Sequence, residues 1–222
     1  MFTITIDGPS ASGKSTVAKL VAKELNMHHL NSGEFYRAIA YYMNKNKIMP
    51  EETEKVSTAL KNLNITIEFI NGVQHNFVNG EDVSEFLHNN DINNVVSRYA
   101  RNFDVVEKTS ELTFLATKTH SLVIDGRNVG SYVLPNAECK IYLDCNAKIR
   151  AERRMKEEIE KGYNVSFDEI YKQTLERDEL DKTRKIAPLI VPENAYILDS
   201  SNKSIEEIKD EIVNLAKTKM QN

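Results

Sequence analysis

Residues 8–15, GPSASGKS, constrain this chain more than any other stretch, because they fit the pattern G-x-x-x-x-G-K-[ST]. Residues 2–7 before them are β-branched and aromatic and end in Asp7, which predicts a strand. From Lys14 to Leu25, apolar residues recur at helical spacing. A bend between a strand and a helix N-terminus turns backbone N–H groups inward as a nest for an anion. We expect these residues to contact the phosphates of ATP: Gly8, Pro9, Ser10, Ala11, Ser12, Gly13, Lys14, Ser15 and Thr16.

The pattern assigns separate roles to two side chains of this loop. Lys14 is expected to reach the β- and γ-phosphates, and the Ser15 hydroxyl to bind Mg²⁺. Motors, GTPases, synthetases and kinases share such a loop, so the loop alone does not name the reaction. The guanine-specific pattern N-K-x-D does not occur in the sequence. Asp125 ends the apolar run SLVIDG, where it either orients Mg²⁺ through water or only caps the strand.

Strand and helix patterns alternate along most of the chain. Short apolar runs that suit buried parallel strands occur at residues 27–30, 121–126, 139–145 and 194–199. Helical patterns cover 33–45, 51–63, 91–118 and a C-terminal segment with a capping box at Ser204 and Glu207. Two alternating runs flank Asn71-Gly72, which predicts a β-hairpin. The expected fold class is α/β: a three-layer core with a mostly parallel sheet, a small antiparallel β insert and a helical lid.

Composition limits the partners of the chain. The 222 residues carry 29 Lys and Arg against 33 Asp and Glu, a formal net charge of −4, so we expect no nucleic-acid partner. No apolar run approaches the roughly 18 residues of a membrane span, and we expect no membrane partner and no signal peptide. The expected partners are small-molecule nucleotides, and we expect a monomer.

The cysteines and histidines follow no catalytic or metal-binding spacing. Cys139 and Cys145 lie in one predicted strand, about 20 Å apart, which is too far for a disulfide. Buried thiols are typical of a reducing compartment, so we expect a cytoplasmic protein. His28 and His29 fall in a short strand, where we expect packing or a position at the rim.

A second group of residues suggests a second anion site. Ser32 opens a helix directly after the second predicted strand, and Arg37 follows within two turns. Arg127 follows a strand that ends in the crevice where α/β proteins bind ligands. Arg37 also fits an ordinary surface arginine. Together with the phosphate loop, the two arginines indicate a site for a phosphorylated acceptor.

The segment from residue 150 to 185 is rich in charge of both signs. Arg177, Asp181 and Arg184 are spaced i, i+4 and i+7, which predicts one helix face that carries all three. An ion-pair ladder is one explanation, and a site for a phosphate and a ribose diol is the other. The whole segment fits either a pair of solvated helices or an arginine-bearing flap over an anion, and Ser166 with Glu169 predicts a helix start.

Several motifs, taken in order, resemble the bacterial cytidylate kinase family. They are IDGPSASGKST, LNSGEFYR, VNGEDVSEF, VIDGRNVG, RAERRMKE, ERDELDKTRKIAPL and ILDSS, and they extend from residue 3 to about 215. The resemblance implies a single kinase domain in three parts. These are a core of residues 1–30, 120–145 and 186–222, a monophosphate-binding part of about 31–119, and a lid of about 146–185.

The resemblance also implies a role for each matching residue. Acceptor-binding residues would be Ser32, Arg37, Ser97, Arg127, Asn128, Arg177, Asp181 and Arg184. Catalytic residues would be Lys14, Arg127, Arg153 and Arg154, and the lid arginines would include Arg150. Metal contacts would come from Ser15 and, through water, from Asp125.

The implied activity is transfer of the γ-phosphoryl of ATP to CMP or dCMP, with Mg²⁺ as cofactor. The chain departs from the family pattern where it has Asn128 instead of an acid and Asn31 in a second acid position. A base-contacting arginine expected after Ser97 is not evident, and only Lys108 in FDVVEK offers a replacement charge. Phosphorylation of another nucleoside monophosphate, UMP or AMP, and nucleotide binding without catalysis remain alternatives.

Overall fold

A five-stranded parallel sheet forms the centre of the protein in the computed structural model, which describes residues 1–221. Its strand order is β2-β6-β1-β7-β8. The strands are β1 (Thr3–Asp7), β2 (His28–Asn31), β6 (Leu122–Gly126), β7 (Cys139–Asp144) and β8 (Tyr196–Asp199). The helices are α1 (Lys14–Glu24), α2 (Gly33–Lys45), α3 (Thr53–Lys61), α4 (Asn90–Tyr99), α5 (Phe103–Thr119), α6 (Ala147–Glu160), α7 (Phe167–Thr183) and α8 (Ile205–Met220).

Helices cover both faces of this sheet because its inner strands are apolar on both sides. Every residue of β1 is buried, as are the first four of β6. On one face Ile4 and Ile6 pack with Val17, Val21 and residues of α8. On the other face a second cluster packs side chains of α2, α4 and α5 against β2 and β6. The predicted three-layer α/β fold is confirmed.

A separate antiparallel sheet is formed by β3 (Ile65–Ile70), β4 (Val73–Val78) and β5 (Glu81–Asp82). Ile70 pairs with Val73, so the connection has two residues. Asn71 and Gly72 have φ of 53° and 78°, and positive φ at both positions is what a type I′ turn needs. The predicted hairpin is therefore confirmed.

The helix ends predicted from the sequence are also confirmed. Ser166 and Ser204 each cap a helix in a reciprocal box with the glutamate three residues later, Glu169 and Glu207. Within residues 1–221, no helix combines the length and the apolar character needed to cross a membrane.

Both cysteines are buried and free. Burial raises the pKa of the Cys139 thiol to about 11, which favours its neutral form. Cys145 lies one residue beyond the end of β7.

Helices α6 and α7 are joined by an ion pair that the sequence did not suggest. Arg150 is 3% exposed and binds both carboxylate oxygens of Asp178. The Arg150 guanidinium also donates to the carbonyl oxygens of Cys145 at 2.9 Å and Ser10 at 3.1 Å. The resemblance places Arg150 among the lid arginines, and all three of its guanidinium nitrogens bind protein atoms. Arg150 ties α6 to α7 and to the predicted phosphate loop.

We expect Asp178→Ala to lower the free energy of unfolding by about 3 kcal/mol, because it leaves a buried guanidinium without its counter-charge. The control is Glu176→Ala on the same helix. Glu176 pairs with Lys172 at 4.0 Å with both side chains more than half exposed, and such pairs contribute less than about 1 kcal/mol. Urea unfolding followed by circular dichroism measures both. Equal losses of unfolding free energy in the two variants would show that the buried pair stabilises the protein no more than the exposed pair does.

Candidate active site

All five strands of the parallel sheet end at one edge, and the loops that follow β1, β2 and β6 contain many of the predicted site residues. The register places Asp7 beside Gly126 and Ile6 beside Asp125 on adjacent strands. Asn31 at the end of β2 pairs with Asp125 on the other side of β6. Three separate stretches of sequence are therefore brought within a few ångströms, as expected for ligand sites of α/β sheets.

The loop between β1 and α1 bends sharply at two glycines. A Cβ on Gly8 would lie 2.2 Å from the backbone oxygen of Leu143, so no larger residue fits without movement of β7. Gly13 precedes α1 with φ of 91°, a conformation that favours glycine. These two positions let residues 8–13 turn around the N-terminus of α1, in agreement with the predicted phosphate loop.

Lys14 lies inside this loop and is 5% exposed. Its Nζ donates to the Pro9 carbonyl at 2.5 Å and is 3.4 Å from the Ser12 hydroxyl. Burial, followed by the charge of Arg127, lowers the pKa of Lys14 well below its usual range, while Asp125 and Asp7 oppose this shift. An anion bound in the loop would favour the charged ammonium.

A chain of buried hydrogen bonds runs from Ser15 through Asp125 to His29. Ser15 donates to one Asp125 carboxylate oxygen at 2.5 Å, and His29 Nε2 lies 2.6 Å from the other. Burial raises the pKa of Asp125, but the bonds from His29 and Ser15 and the charge of Lys14 outweigh it and lower the pKa below its usual value. His29 is therefore more than a packing or rim residue, because it fixes the orientation of Asp125.

The donor set at this point is one hydroxyl and one carboxylate. Mg²⁺ is usually held by one or two protein oxygens, and water and substrate phosphates complete its shell, so Ser15 and Asp125 fit that ion. Among residues 1–221, no group of three or more His, Cys, Asp or Glu side chains forms a metal site of its own.

Asp7 holds the loop after β6 in place. Its two oxygens accept the backbone N–H groups of Val129 at 2.8 Å and Gly130 at 2.6 Å. Complete burial raises the pKa of Asp7 to about 6, against the lowering effect of those two bonds and of Lys14 and Arg127. The anchored segment begins directly after Arg127 and Asn128, so Asp7 fixes the backbone that presents both side chains.

A cavity of about 360 Å³ lies across from the phosphate loop. Its lining includes all eight predicted acceptor residues: Ser32, Arg37, Ser97, Arg127, Asn128, Arg177, Asp181 and Arg184. Ser15 and Arg127 line both this cavity and a second one of about 630 Å³ around the phosphate loop. The two cavities therefore adjoin at these residues.

Asp181 organises the cations of the acceptor cavity. Its Oδ2 lies 3.0 Å from Arg127 Nε and 3.4 Å from Arg177 Nε. Burial raises the pKa of Asp181, but the charges of Arg127 and Arg177 outweigh it and hold the pKa below its usual value. A single carboxylate thus offsets part of the repulsion between the arginines while their other nitrogens stay available.

Arg184 lies beyond the helix rather than on its face. The helix α7 ends at Thr183, and Arg184 has extended backbone angles, so the prediction of one shared helical face is wrong for this residue. Its Nε donates to the Ala187 carbonyl at 2.6 Å, and its Nη2 is buried without a partner in the described chain. Burial lowers the pKa of Arg184 from its usual value. A bound anion would satisfy the unpaired nitrogen.

Arg37 reaches the cavity from α2. Its Nη1 donates to the Leu87 carbonyl at 3.0 Å and to the Asn93 side chain at 2.5 Å, which fixes the guanidinium between the insert and α4. Burial lowers the pKa of Arg37 from its usual value. Ser32, at the start of the same helix, also lines the cavity, and its hydroxyl donates to the Asp125 backbone oxygen at 2.8 Å.

The lining residues that the sequence analysis missed include a further arginine. Arg101 enters the acceptor cavity four residues after Ser97 and just beyond the end of α4. Lys108, the replacement suggested by FDVVEK, lies instead over another surface depression and is 3.4 Å from Glu111. Its assignment to the base site is therefore wrong. The spacing from Ser97 to Arg101 is one helical turn and was the available signal.

The other two arginines that the resemblance places in the lid, Arg153 and Arg154, differ in position. Arg153 lines the phosphate-loop cavity, and its guanidinium donates to the Ser200 carbonyl at 2.9 Å. Arg154 is half-buried on α6 and is not among the residues that line either cavity.

A parallel sheet that leads from its first strand into a phosphate-binding loop, joined to an arginine-lined cavity, defines a P-loop kinase. A family model described as "Cytidylate kinase" matches residues 4–218. A cytidylate kinase from Clostridium botulinum (strain Langeland / NCTC 10281 / Type F) is 39% identical over 215 residues, which cover 97% of each chain. One from Thermotoga sp. (strain RQ2) is 38% identical over 220 residues, covering 99% of this chain and 98% of the relative.

The chain therefore belongs to the cytidylate kinase family, and the resemblance seen in its motifs is confirmed. A solved structure, an uncharacterized protein from Eubacterium ventriosum ATCC 27560, shares the fold with a TM-score of 0.55 at 11% identity. The alignment covers 98% of this chain and 99% of that one.

The raised pKa of Asp7 predicts a distinct pH dependence of stability. The folded protein binds this proton more tightly than the unfolded chain, whose pKa is near the ordinary value of 3.8. Protonated Asp7 therefore contributes roughly 3 kcal/mol to the free energy of unfolding. This contribution is fully present below about pH 4 and is lost as the pH rises through about 6. Asp7→Asn should remove this slope from the pH profile of unfolding. The exposed Asp210→Asn should keep it, and parallel profiles for wild type and Asp7→Asn would contradict the assignment.

Proposed function

We propose that this protein transfers the γ-phosphoryl group of ATP to CMP or dCMP, which gives ADP and CDP or dCDP. The observation that carries the proposal is the junction of two cavities at Ser15 and Arg127. One cavity is built from the phosphate loop, and the other is lined by guanidinium groups. Two bound phosphates would therefore face each other across a short distance.

Catalysis by this arrangement is positioning and charge stabilisation. The acceptor phosphate is already a nucleophile, so no general base is needed. Lys14 and Arg127 would stabilise the negative charge on the transferring group, and Arg37, Arg177 and Arg184 would hold the acceptor in line. Ser97, Arg101 and Asn128 are left for the nucleoside.

Arg153 and Arg154 would act after closure of a lid. We assign the lid to residues 146–185, the monophosphate-binding part to 31–119, and the core to 1–30, 120–145 and 186–222. Closure would exclude water, which otherwise competes as the acceptor. Arg153 already lines the phosphate-loop cavity, whereas Arg154 must move toward it.

Magnesium fits the oxygen donors at the loop. When bound, it would neutralise charge on the β- and γ-phosphates. Ser15 would bind it directly, and Asp125 would do so through water, held in orientation by His29. We place the enzyme in the cytoplasm, in keeping with its free buried thiols, and we propose that it is a monomer.

Nucleotide binding without transfer is the alternative from another class of function. A sensor needs only the phosphate loop and has no use for five arginines around a second cavity. A coupled assay of ADP formation separates the two functions. Phosphoryl transfer predicts rapid ADP formation that depends on CMP, and a rate indifferent to CMP would contradict it.

Loss of an acceptor arginine should affect CMP and not ATP. We expect Arg37→Ala to raise KM for CMP at least 10-fold, because a charge-assisted contact contributes about 1.5–3 kcal/mol. KM for ATP should change less than 3-fold. The matched control is Arg98→Ala, since Arg98 is an exposed α4 arginine paired with Glu51. Steady-state kinetics with each substrate varied measure both, and equal effects of the two variants would sink the assignment of Arg37.

The contact of His29 with Asp125 predicts an effect on metal affinity. His29→Leu should weaken Mn²⁺ binding in the presence of ATP by roughly 10-fold, as loss of outer-shell partners does at metal sites. His29→Gln keeps an N–H donor and should restore part of the affinity. His75→Leu, in the insert, is the control. Electron paramagnetic resonance of Mn²⁺ gives the affinity independently of turnover, and an unchanged affinity in His29→Leu would refute the role.

A further inference from the structure

The Asn128 side chain has an unsatisfied hydrogen-bonding group at the acceptor cavity. Asn128 is 5% exposed and lines that cavity. Its Nδ2 is buried and finds no partner in the described chain. A buried amide with an unmade bond is costly, so such a group is expected to bind something that enters the cavity.

The backbone of Asn128 is fixed, which limits where its amide can point. Its carbonyl accepts the N–H groups of Tyr132 at 2.9 Å and Val133 at 3.2 Å in a π-helical turn, Val129–Val133. Asp7 anchors the next two residues of the same turn. The backbone therefore holds the carboxamide at the cavity, and rotation about its own side-chain bonds remains free.

The lining divides between charged and neutral recognition groups. Arg37, Arg127, Arg177 and Arg184 are donors only, and they suit the phosphate. The Asn128 carboxamide is neutral and carries a donor and an acceptor in one plane. The part of a nucleoside monophosphate with the same property is the edge of its base.

A carboxamide complements two pyrimidine edges equally well. Cytosine offers an amino donor at N4 beside an acceptor at N3, and uracil offers an acceptor at O4 beside a donor at N3. Rotation of the Asn128 amide by 180° exchanges its oxygen and nitrogen, so either edge can be paired without repulsion. A carboxylate at this position accepts only, and it would repel the uracil O4.

Arg101 adds a contact that does not separate the two bases. Arg101 lines the same cavity just beyond the end of α4, and both cytosine and uracil carry an acceptor oxygen at position 2. A donor to that oxygen favours pyrimidines over purines and leaves the choice between cytosine and uracil to Asn128.

We propose that Asn128 reads the base edge and that this enzyme phosphorylates UMP as well as CMP. The proposal rests on the function proposed above. A UMP phosphate oxygen bonds to the γ-phosphorus of ATP, the bond from that phosphorus to the β,γ-bridging oxygen breaks, and ADP and UDP leave. The expected ratio of kcat/KM for CMP to that for UMP is below about 10.

The test compares CMP, UMP, AMP and GMP side by side in a coupled ADP assay, and it measures CMP and UMP binding by calorimetry without ATP. Asn128→Asp should raise the CMP-to-UMP ratio at least 100-fold by loss of UMP, since mispaired polar groups discriminate strongly. Asn214→Asp, an exposed position on α8 with the same change of charge, should keep the wild-type ratio.

The outcomes separate this proposal from the one it rests on. A wild-type enzyme that uses CMP but prefers it to UMP by more than 100-fold overturns the dual specificity and leaves the kinase function intact. An enzyme that uses no monophosphate fails the proposed function itself. Equal losses with CMP and UMP in Asn128→Asp would show that Asn128 does not read the base. If Asn128→Asp does not fold, the dual specificity is still tested by the wild-type ratio of kcat/KM for CMP to that for UMP and by the calorimetric binding of the two nucleotides.

Discussion

Two buried carboxylates at the ends of neighbouring strands, Asp7 and Asp125, determine the geometry of everything around them. Asp7 clamps the backbone after Asn128, and Asp125 binds Ser15 of the phosphate loop and His29 of β2. The parallel register of β1 and β6 pairs Asp7 with Gly126, the neighbour of Asp125, so the phosphate-loop cavity and the acceptor cavity share one rigid base. A buried carboxylate is stable only when several groups donate hydrogen bonds to it. Each of the two therefore fixes the positions of its partners, at a cost in folding free energy.

The acceptor cavity shows how like charges are held together before a ligand arrives. Five arginines line it, and Asp181 offsets two of them by direct contact. Burial lowers the pKa of Arg37 and of Arg184, and Arg184 keeps an unpaired buried nitrogen. Preorganising the arginines costs free energy when the protein folds, not when the ligand binds. A phosphate that enters therefore meets donors that need little further ordering, which is the condition for strong electrostatic stabilisation.

Local patterns in the sequence predicted the sheet, the hairpin at Asn71-Gly72, the helix caps and the phosphate loop, because each depends on neighbours a few residues apart. The residues predicted to bind the acceptor, which line the cavity, were identified from the order of the motifs in the sequence. The roles of Arg101, His29 and Arg150 were not, since each depends on packing between distant segments. Arg150 illustrates the reason. Its sequence on α6 is that of an ordinary solvated arginine, and only its contacts with Asp178 on α7 and with the Ser10 carbonyl show that it is buried and joins these segments.

The two adjoining cavities are expected to bring a triphosphate tail and a lone phosphate into line across Ser15 and Arg127. A crystal structure with CMP and a non-transferable ATP analogue would show this alignment. We expect an acceptor oxygen roughly 3–3.5 Å from the γ-phosphorus, with Arg37, Arg127 and Arg184 on the CMP phosphate. A CMP phosphate bound outside this cavity, or arginines directed away from it, would rule out in-line transfer at this site.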